Sequence, residues 1–272
     1  MKRISPPKWL PFLVLPYLVL LIFVGSIITA PPLHHTDPAQ EAFGALQIPS
    51  APHAAHLDRF SYVEPRSIIA TVTSPVITAR VAPDLDALEI ATFAETNVHG
   101  GAQVFLLTAR PGEDPAVETD DGTWYEALLP VRPNGTTGFI PAEAVVLSKT
   151  SYRIVVDRSR FELTLWKGSD LVDRMPVGLG TGATPTPVGS FYLTVLLEPD
   201  DPAGVYGPFA YGLSGFSEVL IDWAGGGVVG LHGTNDPSSV GIRSSHGCIR
   251  LLNEDIESLV PMLPVGTPIE II

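Results

Sequence analysis

The only cysteine of the chain, Cys248, lies in the segment SSHGCIR, with His246 two residues before it and Arg250 two residues after it. A second histidine, His232, lies earlier in the segment LHGT. Cysteine reacts as its thiolate, and an imidazole base or a nearby cation promotes thiolate formation near neutral pH. These four residues therefore have the side-chain types that a cysteine nucleophile requires.

Two other interpretations of these residues remain open on spacing alone. Histidine and cysteine also bind zinc, for which Asp222 or Asp236 would supply a further ligand, although the chain lacks the HExxH spacing of zinc peptidases. A buried cysteine can also be a small apolar core residue without reactivity. We favour the thiol enzyme, and we expect no metal and no cofactor.

The charge of the chain excludes one large class of partners. Its 272 residues carry 16 basic and 29 acidic side chains, which give a formal net charge of -13. Such a surface repels phosphate groups, so we expect no nucleic acid partner. Against this background Arg243 and Arg250 form a local basic patch around Cys248, which suits a carboxylate ligand.

The N-terminal part has the composition of a membrane anchor and a tether. Residues 9–30 contain no charged side chain and are long enough to span a bilayer. Residues 1–8 include three basic side chains, which predicts a cytoplasmic end. Residues 31–65 are rich in Pro, Ala and His, as is typical of a tether. We predict a single-pass cell-membrane protein with its folded domains on the cell-wall side, and a signal peptide cleaved near Ala30 is the alternative.

Residues 66–148 contain short β-prone runs separated by turn residues, which indicates a small β-barrel. The segments ARVAP, DGTWYEALLP and NGTTGFIP resemble the entry, the central tryptophan strand and a late strand of bacterial SH3-like domains. The resemblance implies a module that spaces the protein or binds the cell wall. We expect Trp124 and Phe139 to lie in the core, as aromatic residues of a small barrel commonly do.

Residues 151–272 renew the β pattern and contain one helix. The turn sequences DRSR and KGSD predict hairpins, and SEVLIDWAG and GGVVGLHG also have strand character. No element is assigned to residues 198–218. Asn253 is placed to cap a helix over EDIESLV, which Pro261 would end before a closing strand in GTPIEII. The predicted fold is mainly β, with an SH3-like barrel, then a β-rich domain with one short helix, after the transmembrane helix.

The segment from His232 to Arg250 resembles the signature of the L,D-transpeptidases, the YkuD-type catalytic domain. The matching elements are His232-Gly233-Thr234 and Ser245-His246-Gly247-Cys248-Ile249-Arg250. The segments VGLGTGATPTPVGSFYL and RLLNEDIESL resemble further parts of the same domain. The resemblance covers residues 151–272 and implies that these residues form the catalytic domain.

The resemblance assigns a role to each signature residue. Cys248 would be the nucleophile and His232 the base that takes its proton. The carbonyl of Gly233 would orient the imidazole, in the place that a carboxylate or amide holds in other triads. His246 would support the site, and an exchange of roles between the two histidines is the alternative.

The remaining signature residues would bind the substrate. The backbone amides of Gly247 and of the cysteine would stabilise the oxyanion, and Ser245 would hold the turn by a side-chain hydrogen bond. Arg250 would anchor a substrate carboxylate. The alternative for Arg250 is a surface ion pair with Glu254 or Asp255.

The activity that the resemblance implies is acyl transfer between peptidoglycan stem peptides. A cysteine acyl-enzyme would form with release of the terminal D-Ala, and a side-chain amine of a second stem would then complete a 3→3 cross-link. Transfer to water would make the enzyme an L,D-carboxypeptidase, and a noncatalytic peptidoglycan-binding protein is a further alternative. The resemblance also implies inhibition by β-lactams, especially carbapenems.

Overall fold

The computed structural model describes residues 66–221 and 226–272, which fall within one compact unit, residues 57–272. These residues form two large β-sheets, the first from strands that precede Ser151 in the sequence and the second from strands that follow it. The strands of the first sheet are β1 Ser67–Val72, β2 Val76–Arg80, β3 Glu89–Ala94, β4 Val104–Leu107, β5 Ala116–Thr119, β6 Gly122–Leu128, β7 Thr137–Pro141 and β8 Val145–Thr150.

The first sheet is antiparallel, in the order β3-β2-β7-β6-β4-β1-β8, with β5 beside β6. Alternating residues of its strands face a core that includes Ile77, Phe105 and Ile140. The expected core position of Trp124 is confirmed, since its side chain is 1% exposed, and Phe139 is half-buried. The β-prone runs predicted β1, β2, β4, β6, β7 and β8, whereas β3 and β5 were missed because neither contains a fully buried residue.

The second half contains the strands β9 Tyr152–Asp157, β10 Glu162–Lys167, β11 Asp170–Pro176, β12 Leu179–Gly180, β13 Gly189–Leu197, β14 Ala210–Phe216, β15 Val228–His232, β16 Arg243–Ser245, β17 Ile249–Arg250 and β18 Pro268–Ile271. Eight of them form a sheet in the order β11-β10-β9-β18-β13-β14-β15-β17, and β12 pairs with β16. The DRSR and KGSD turns connect β9, β10 and β11, which confirms the predicted hairpins. The closing strand β18 enters the middle of the sheet, between β9 and β13.

The prediction of a strand in SEVLIDWAG is wrong for the residues that the structure describes there. Strand β14 ends at Phe216, and residues 217–221 form no strand. The strand lies earlier, at Ala210–Phe216, within the segment that has no sequence assignment. It was missed because every residue except Leu213 is small or aromatic, so the aliphatic alternation on which strand prediction depends is absent.

One α-helix, α1 Asn253–Leu259, is present among the described residues, as the sequence predicts. It buries Ile256 and Leu259 against the core of the second sheet. Its N-cap is Leu252, which has no side chain able to cap, and Asn253 is the first helical residue. The predicted capping role of Asn253 is therefore wrong, and its amide makes a different contact that is described below.

The two sheets meet through a small apolar cluster of Ile69, Val104, Leu128 and Tyr192. The hydroxyl of Tyr192, on β13, donates to the carbonyl of Val104 on β4 across 3.1 Å. Because the tyrosine is fully buried, this bond satisfies a polar group that would otherwise be costly to bury.

Within residues 66–221 and 226–272, no helix has the length and apolar character needed to cross a bilayer. The predicted transmembrane segment, residues 9–30, lies outside the described residues.

Candidate active site

Parallel pairing of β15 with β17 brings the two parts of the signature together. Leu231 pairs with Ile249 and His232 with Arg250. His232 ends β15, and Cys248 directly precedes β17. Both Leu231 and Ile249 are fully buried, so the sheet core fixes the register that places His232 near Cys248.

Gly230 provides the space in which the thiol and the imidazole face each other. Its backbone amide donates to the Sγ atom of Cys248 across 3.4 Å. A Cβ atom at this glycine would lie 3.7 Å from that Sγ and 3.6 Å from Cδ2 of His232. Both reactive groups therefore border the small volume that a side chain at Gly230 would occupy.

The carbonyl of Gly233 fixes the tautomer of His232. It lies 2.6 Å from Nδ1 of the imidazole. A carbonyl oxygen can only accept a hydrogen bond, so Nδ1 carries the proton and Nε2 presents a lone pair. The ring of Tyr206 packs edge-on against the imidazole, with the ring centroids 5.0 Å apart. The arrangement orients Nε2 as a proton acceptor.

Burial keeps His232 neutral over the physiological pH range. Loss of solvation lowers the pKa of His232 from its usual 6.5 to about 4, because only 4% of the residue is exposed. The Gly233 hydrogen bond opposes this change, and the positive charge of Arg250 adds to it. A neutral imidazole can accept a proton, which an imidazolium cannot.

Burial also raises the pKa of the Cys248 thiol above its ordinary value. The amide hydrogen bond from Gly230 and the charge of Arg250 favour the thiolate, but their effect is smaller than that of desolvation. In the free protein the pair is therefore a neutral thiol beside a neutral imidazole. Proton transfer from sulfur to His232 would accompany attack on a substrate.

Contacts of the segment after His232 with Asn253 hold the Gly233 carbonyl in place. The side-chain oxygen of Asn253 accepts a hydrogen bond from the amide of Thr234 across 2.8 Å. A Cβ atom at Gly233 would collide with that oxygen, and it would come within 3.1 Å of Pro208. A Cβ atom at Gly207, whose φ is +64°, would collide with the same oxygen. Glycine at these two positions leaves room for the Asn253 side chain, which holds the segment after His232.

Between His246 and Cys248 the chain is not an extended strand. Gly247 has a φ of +118°, in a region that favours glycine, and it forms a turn between β16 and β17. Ser245 stabilises this turn, because its hydroxyl donates to the carbonyl of Cys248 across 2.6 Å and accepts from the amide of Gly247 across 3.2 Å. This agrees with the predicted structural use of Ser245. His246 is exposed at the rim.

One of the two expected oxyanion donors is engaged elsewhere. The Gly247 amide points to the Ser245 hydroxyl, which leaves the Cys248 amide as the remaining donor of the pair. The prediction that Gly247 serves as a donor therefore disagrees with the observed hydrogen bonding. Its physical reason is the positive φ of Gly247, which turns the amide towards the preceding serine.

Arg250 lies between the site and the strand segment of Gly178, with which it exchanges two backbone hydrogen bonds of 2.8 Å. Its Nη1 donates weakly to Ser244 across 3.5 Å, and its Nε is buried without a hydrogen-bond partner. The ion pair with Glu254 or Asp255, considered above as an alternative, is not formed. The guanidinium therefore retains hydrogen-bonding capacity for a ligand, and its charge reaches both His232 and Cys248.

A pocket of about 300 Å³ opens above the thiol. Three kinds of residue line it: signature residues, apolar residues and residues next to the end of β14. They are Val205, Tyr206, Ser217, Leu220, Gly227, Val228, Val229, His232, Ser245, His246, Gly247, Cys248 and Arg250. The pocket therefore gathers all of the predicted site residues except Gly233, which contacts the imidazole from behind. Tyr206 and Leu220 were missed, because neither belongs to a recognisable motif.

No group of three or more metal-binding side chains exists within residues 66–221 and 226–272. The carboxylate of Asp236, a candidate ligand on sequence grounds, accepts the amide of Ser238 across 3.1 Å at the start of a 3-10 turn. Asp222, the other candidate, lies outside the described residues.

Comparisons with known proteins identify the family of the chain. A family model of the YkuD L,D-transpeptidase catalytic domain matches residues 151–271. The YkuD protein of Bacillus licheniformis is 31% identical over 176 residues, which cover 62% of this chain and 99% of that protein. The YkuD protein of Bacillus subtilis is 31% identical over 151 residues, which cover 53% and 84%. The solved structure of LdtMt1 in complex with imipenem is 19% identical, covers 62% of this chain and 90% of that chain, and has a TM-score of 0.39. The chain belongs to the YkuD family of L,D-transpeptidases.

Proposed function

We propose that the protein is a peptidoglycan L,D-transpeptidase that forms 3→3 cross-links through a thioester on Cys248. The observation that carries the proposal is the position of the Cys248 thiol and a neutral, buried His232 on the same small space beside Gly230. The Gly233 carbonyl accepts the proton of Nδ1 and so leaves the lone pair of this imidazole on Nε2. A thiol next to an oriented base is the arrangement that nucleophilic catalysis requires.

The first step would transfer the acyl group from the donor stem to the enzyme. Sγ of Cys248 attacks the carbonyl carbon of the third residue of a stem tetrapeptide, and its proton passes to Nε2 of His232. The bond from that carbon to the nitrogen of the terminal D-Ala breaks, and His232 returns the proton to the leaving amine. A thioester remains on Cys248, and His232 is neutral again.

The second step would release the acyl group to an amine of a neighbouring stem. The amine attacks the thioester carbon, the C–S bond breaks, and the proton lost by the amine passes through His232 to the sulfur. Water in place of the amine would give a tripeptide and L,D-carboxypeptidase activity. Because the pocket is open at its rim, where His246 is exposed, the second stem would enter from that side.

Two groups of the pocket suit an acyl substrate. The Cys248 amide lies next to the carbon under attack, where a hydrogen-bond donor stabilises the oxyanion. The Arg250 guanidinium supplies positive charge for a substrate carboxylate, which peptidoglycan stems carry. The apolar residues Val205, Leu220 and Val228 would contact the aliphatic parts of the stem.

Intact-mass spectrometry of the purified full-length protein tests the proposal. We expect a single adduct after incubation with imipenem, because the strained lactam carbonyl acylates an activated thiol, and slower product formation with a stem tetrapeptide. Cys248→Ala should abolish the adduct and His232→Ala should slow it by at least about a hundredfold. With a tetrapeptide alone, a cross-linked dimer supports transpeptidation, whereas tripeptide alone supports the carboxypeptidase. A folded wild-type protein that yields neither adduct nor product would contradict the proposal and favour a binding protein.

We propose further that residues 66–148 are an SH3-like module that binds or spaces the enzyme at the wall, and that residues 151–272 are the catalytic domain. We also propose that residues 9–30 anchor the chain in the cell membrane, with residues 1–8 in the cytoplasm and residues 31–65 as the tether. Membrane fractionation with protease digestion of spheroplasts tests the orientation. Recovery of a protected, full-length protein would contradict it.

A further inference from the structure

An arginine between two strands of the first sheet hydrogen-bonds to the segment that follows β14. Arg132 lies in the connection from β6 to β7, and its Nη1 donates to the carbonyl of Ser217 across 2.7 Å. Its Nη2 donates to the carbonyl of Gly226 across 3.0 Å. The guanidinium also stacks over the ring of Phe216, with 4.8 Å from Cζ to the ring centroid. One side chain thus connects both sides of the β14–β15 connection.

An asparagine two residues later makes a second, two-way contact. Nδ2 of Asn134 donates to the carbonyl of Phe216 across 2.8 Å, and its Oδ1 accepts the amide of Phe216 across 2.9 Å. The side-chain amide therefore pairs with the last residue of β14 as a neighbouring strand would. This pairing fixes the direction in which the chain leaves the sheet.

The segment that Arg132 and Asn134 contact forms one wall of the active-site pocket. Ser217, Leu220, Gly227 and Val228 line the pocket that contains Cys248. The Ser217 amide donates to the Gly227 carbonyl across 2.7 Å, and the Ser217 hydroxyl accepts the Leu220 amide across 3.1 Å. A Cβ atom at Gly227 would lie 3.0 Å from Nη2 of Arg132. A shift of Arg132 or Asn134 would therefore be transmitted to residues that border the substrate.

We propose that Arg132 and Asn134 are positioning residues for the substrate-binding wall of the transpeptidase site. Two residues between strands of the first sheet would thus shape the active site, in addition to any role of that sheet at the cell wall. The inference rests on the proposed function for its substrate, a peptidoglycan stem peptide. Neither residue touches the thiol or the imidazole, so their loss should weaken substrate binding and leave thiol activation intact.

Steady-state kinetics of the full-length protein with a stem tetrapeptide separate binding from chemistry. For the double variant Arg132→Ala/Asn134→Ala we expect KM to rise about tenfold and kcat to stay within about twofold, since the lost interactions orient the wall and not the reacting atoms. The rate of Cys248 alkylation by iodoacetamide, a probe too small to need the wall, should be unchanged. Arg132→Lys keeps the charge but lacks the planar pair of nitrogens that reach the two carbonyls, so it should restore only part of the affinity. The matched control is Arg110→Ala, an exposed arginine of the same sheet.

Hydrogen exchange provides a readout that does not depend on turnover. In the double variant the amides of Phe216 and Ser217 should exchange at least about tenfold faster, while those of β9 and β10 keep their protection. Unchanged KM together with unchanged exchange would overturn the inference. Slower alkylation with a lower melting temperature would also overturn it, because the residues would then serve general stability. If the wild-type protein does not turn over, the proposed function fails, and the exchange result alone decides whether Arg132 and Asn134 hold the wall.

Discussion

The Nδ1 atom of His232 and the carbonyl oxygen of Gly233 lie 2.6 Å apart, so the residue after the histidine sets its tautomer. In a triad with an aspartate, the carboxylate also stabilises the imidazolium by its charge. A carbonyl carries a dipole but no net charge, so it stabilises the imidazolium less than a carboxylate would. Burial therefore has the larger effect and lowers the pKa of His232 to about 4. The consequence is a resting site with a neutral base and an undissociated thiol, the pKa of which is raised by its own burial.

The protonation state of the resting thiol gives the first prediction. Because burial raises the pKa of Cys248, the free protein should show no thiolate absorbance in the far ultraviolet at about pH 7. The signal should appear only in alkaline solution. The difference spectrum between the wild type and Cys248→Ala measures it directly. A thiolate band at neutral pH would show instead that the site rests as a thiolate and imidazolium pair.

The burial of His232 also makes stability depend on pH. Its pKa is about 4 in the folded protein and 6.5 in its ordinary state, so the unfolded chain binds more protons between these values. Stability is therefore complete above pH 6.5 and falls as the pH decreases towards 4. The contribution of His232 at pH 4 is a loss of about 3 kcal/mol in the free energy of unfolding. Denaturant unfolding of the wild type and His232→Gln at several pH values measures it.

A comparison of how steeply the free energy of unfolding changes with pH in the wild type and the variants isolates the contribution of His232. His232→Gln should show a shallower decline, whatever its absolute stability. His99→Gln, which replaces an exposed histidine in the first sheet, should keep the wild-type slope. Parallel slopes for the wild type and His232→Gln would mean that the imidazole is more accessible to water than the structure indicates.

Much of the second sheet could be predicted because its signals are local. The alternation of β9 and β10 and the turns between them extend over a few residues, and α1 follows from its apolar positions and acidic first turn. The signature identified His232 and Cys248 because their chemistry is specific to residue type. These features do not depend on which distant strands become neighbours.

The remaining contacts of the site arise from pairing between distant segments. The register of β15 with β17 brings Gly230 to Cys248. The buried residues Leu231 and Ile249 fix it, but the sequence does not show that these two strands are neighbours. Asn253 has the sequence position of a helix cap, but its amide contacts Thr234, nineteen residues earlier. The positive φ of Gly247, which turns the chain between β16 and β17, is visible only in the folded protein.

The contact between Asn253 and the segment after His232 predicts a non-additive pair of substitutions. Gly233→Ala should destabilise the protein by about 2 kcal/mol and reduce acylation by imipenem, because the new methyl group collides with the Asn253 side chain and displaces the carbonyl. Asn253→Ala removes the obstacle but leaves the Thr234 amide without its partner. The double variant should therefore be more stable than the sum of the two single effects predicts. Chemical denaturation and intact-mass kinetics of all four proteins complete the cycle.

Ser258→Ala, on the exposed side of α1, is the control for changes near Asn253, and it should leave acylation unchanged. Strict additivity of the two substitutions would indicate that the added methyl group is accommodated by movement of Pro208 and not by contact with Asn253.

The charge of Arg250 should affect the pKa of the thiol, and the geometry of its guanidinium should affect substrate binding. Its positive charge lowers the pKa of both Cys248 and His232. Arg250→Ala should therefore move the midpoint of Cys248 alkylation by iodoacetamide to higher pH. Arg250→Lys keeps the charge near its original place, so its midpoint should stay close to the wild-type value.

The two Arg250 variants should agree, however, in their effect on the peptide substrate. A lysine cannot offer the planar pair of donors that an arginine offers to a carboxylate, so both variants should raise KM for a stem tetrapeptide, by about tenfold for alanine. Arg243→Ala is the matched control, because that guanidinium stacks on Phe161 outside the pocket. If Arg250→Lys restores both the alkylation midpoint and KM, then charge alone explains the residue. If it restores only the midpoint, Arg250 binds a carboxylate through its geometry.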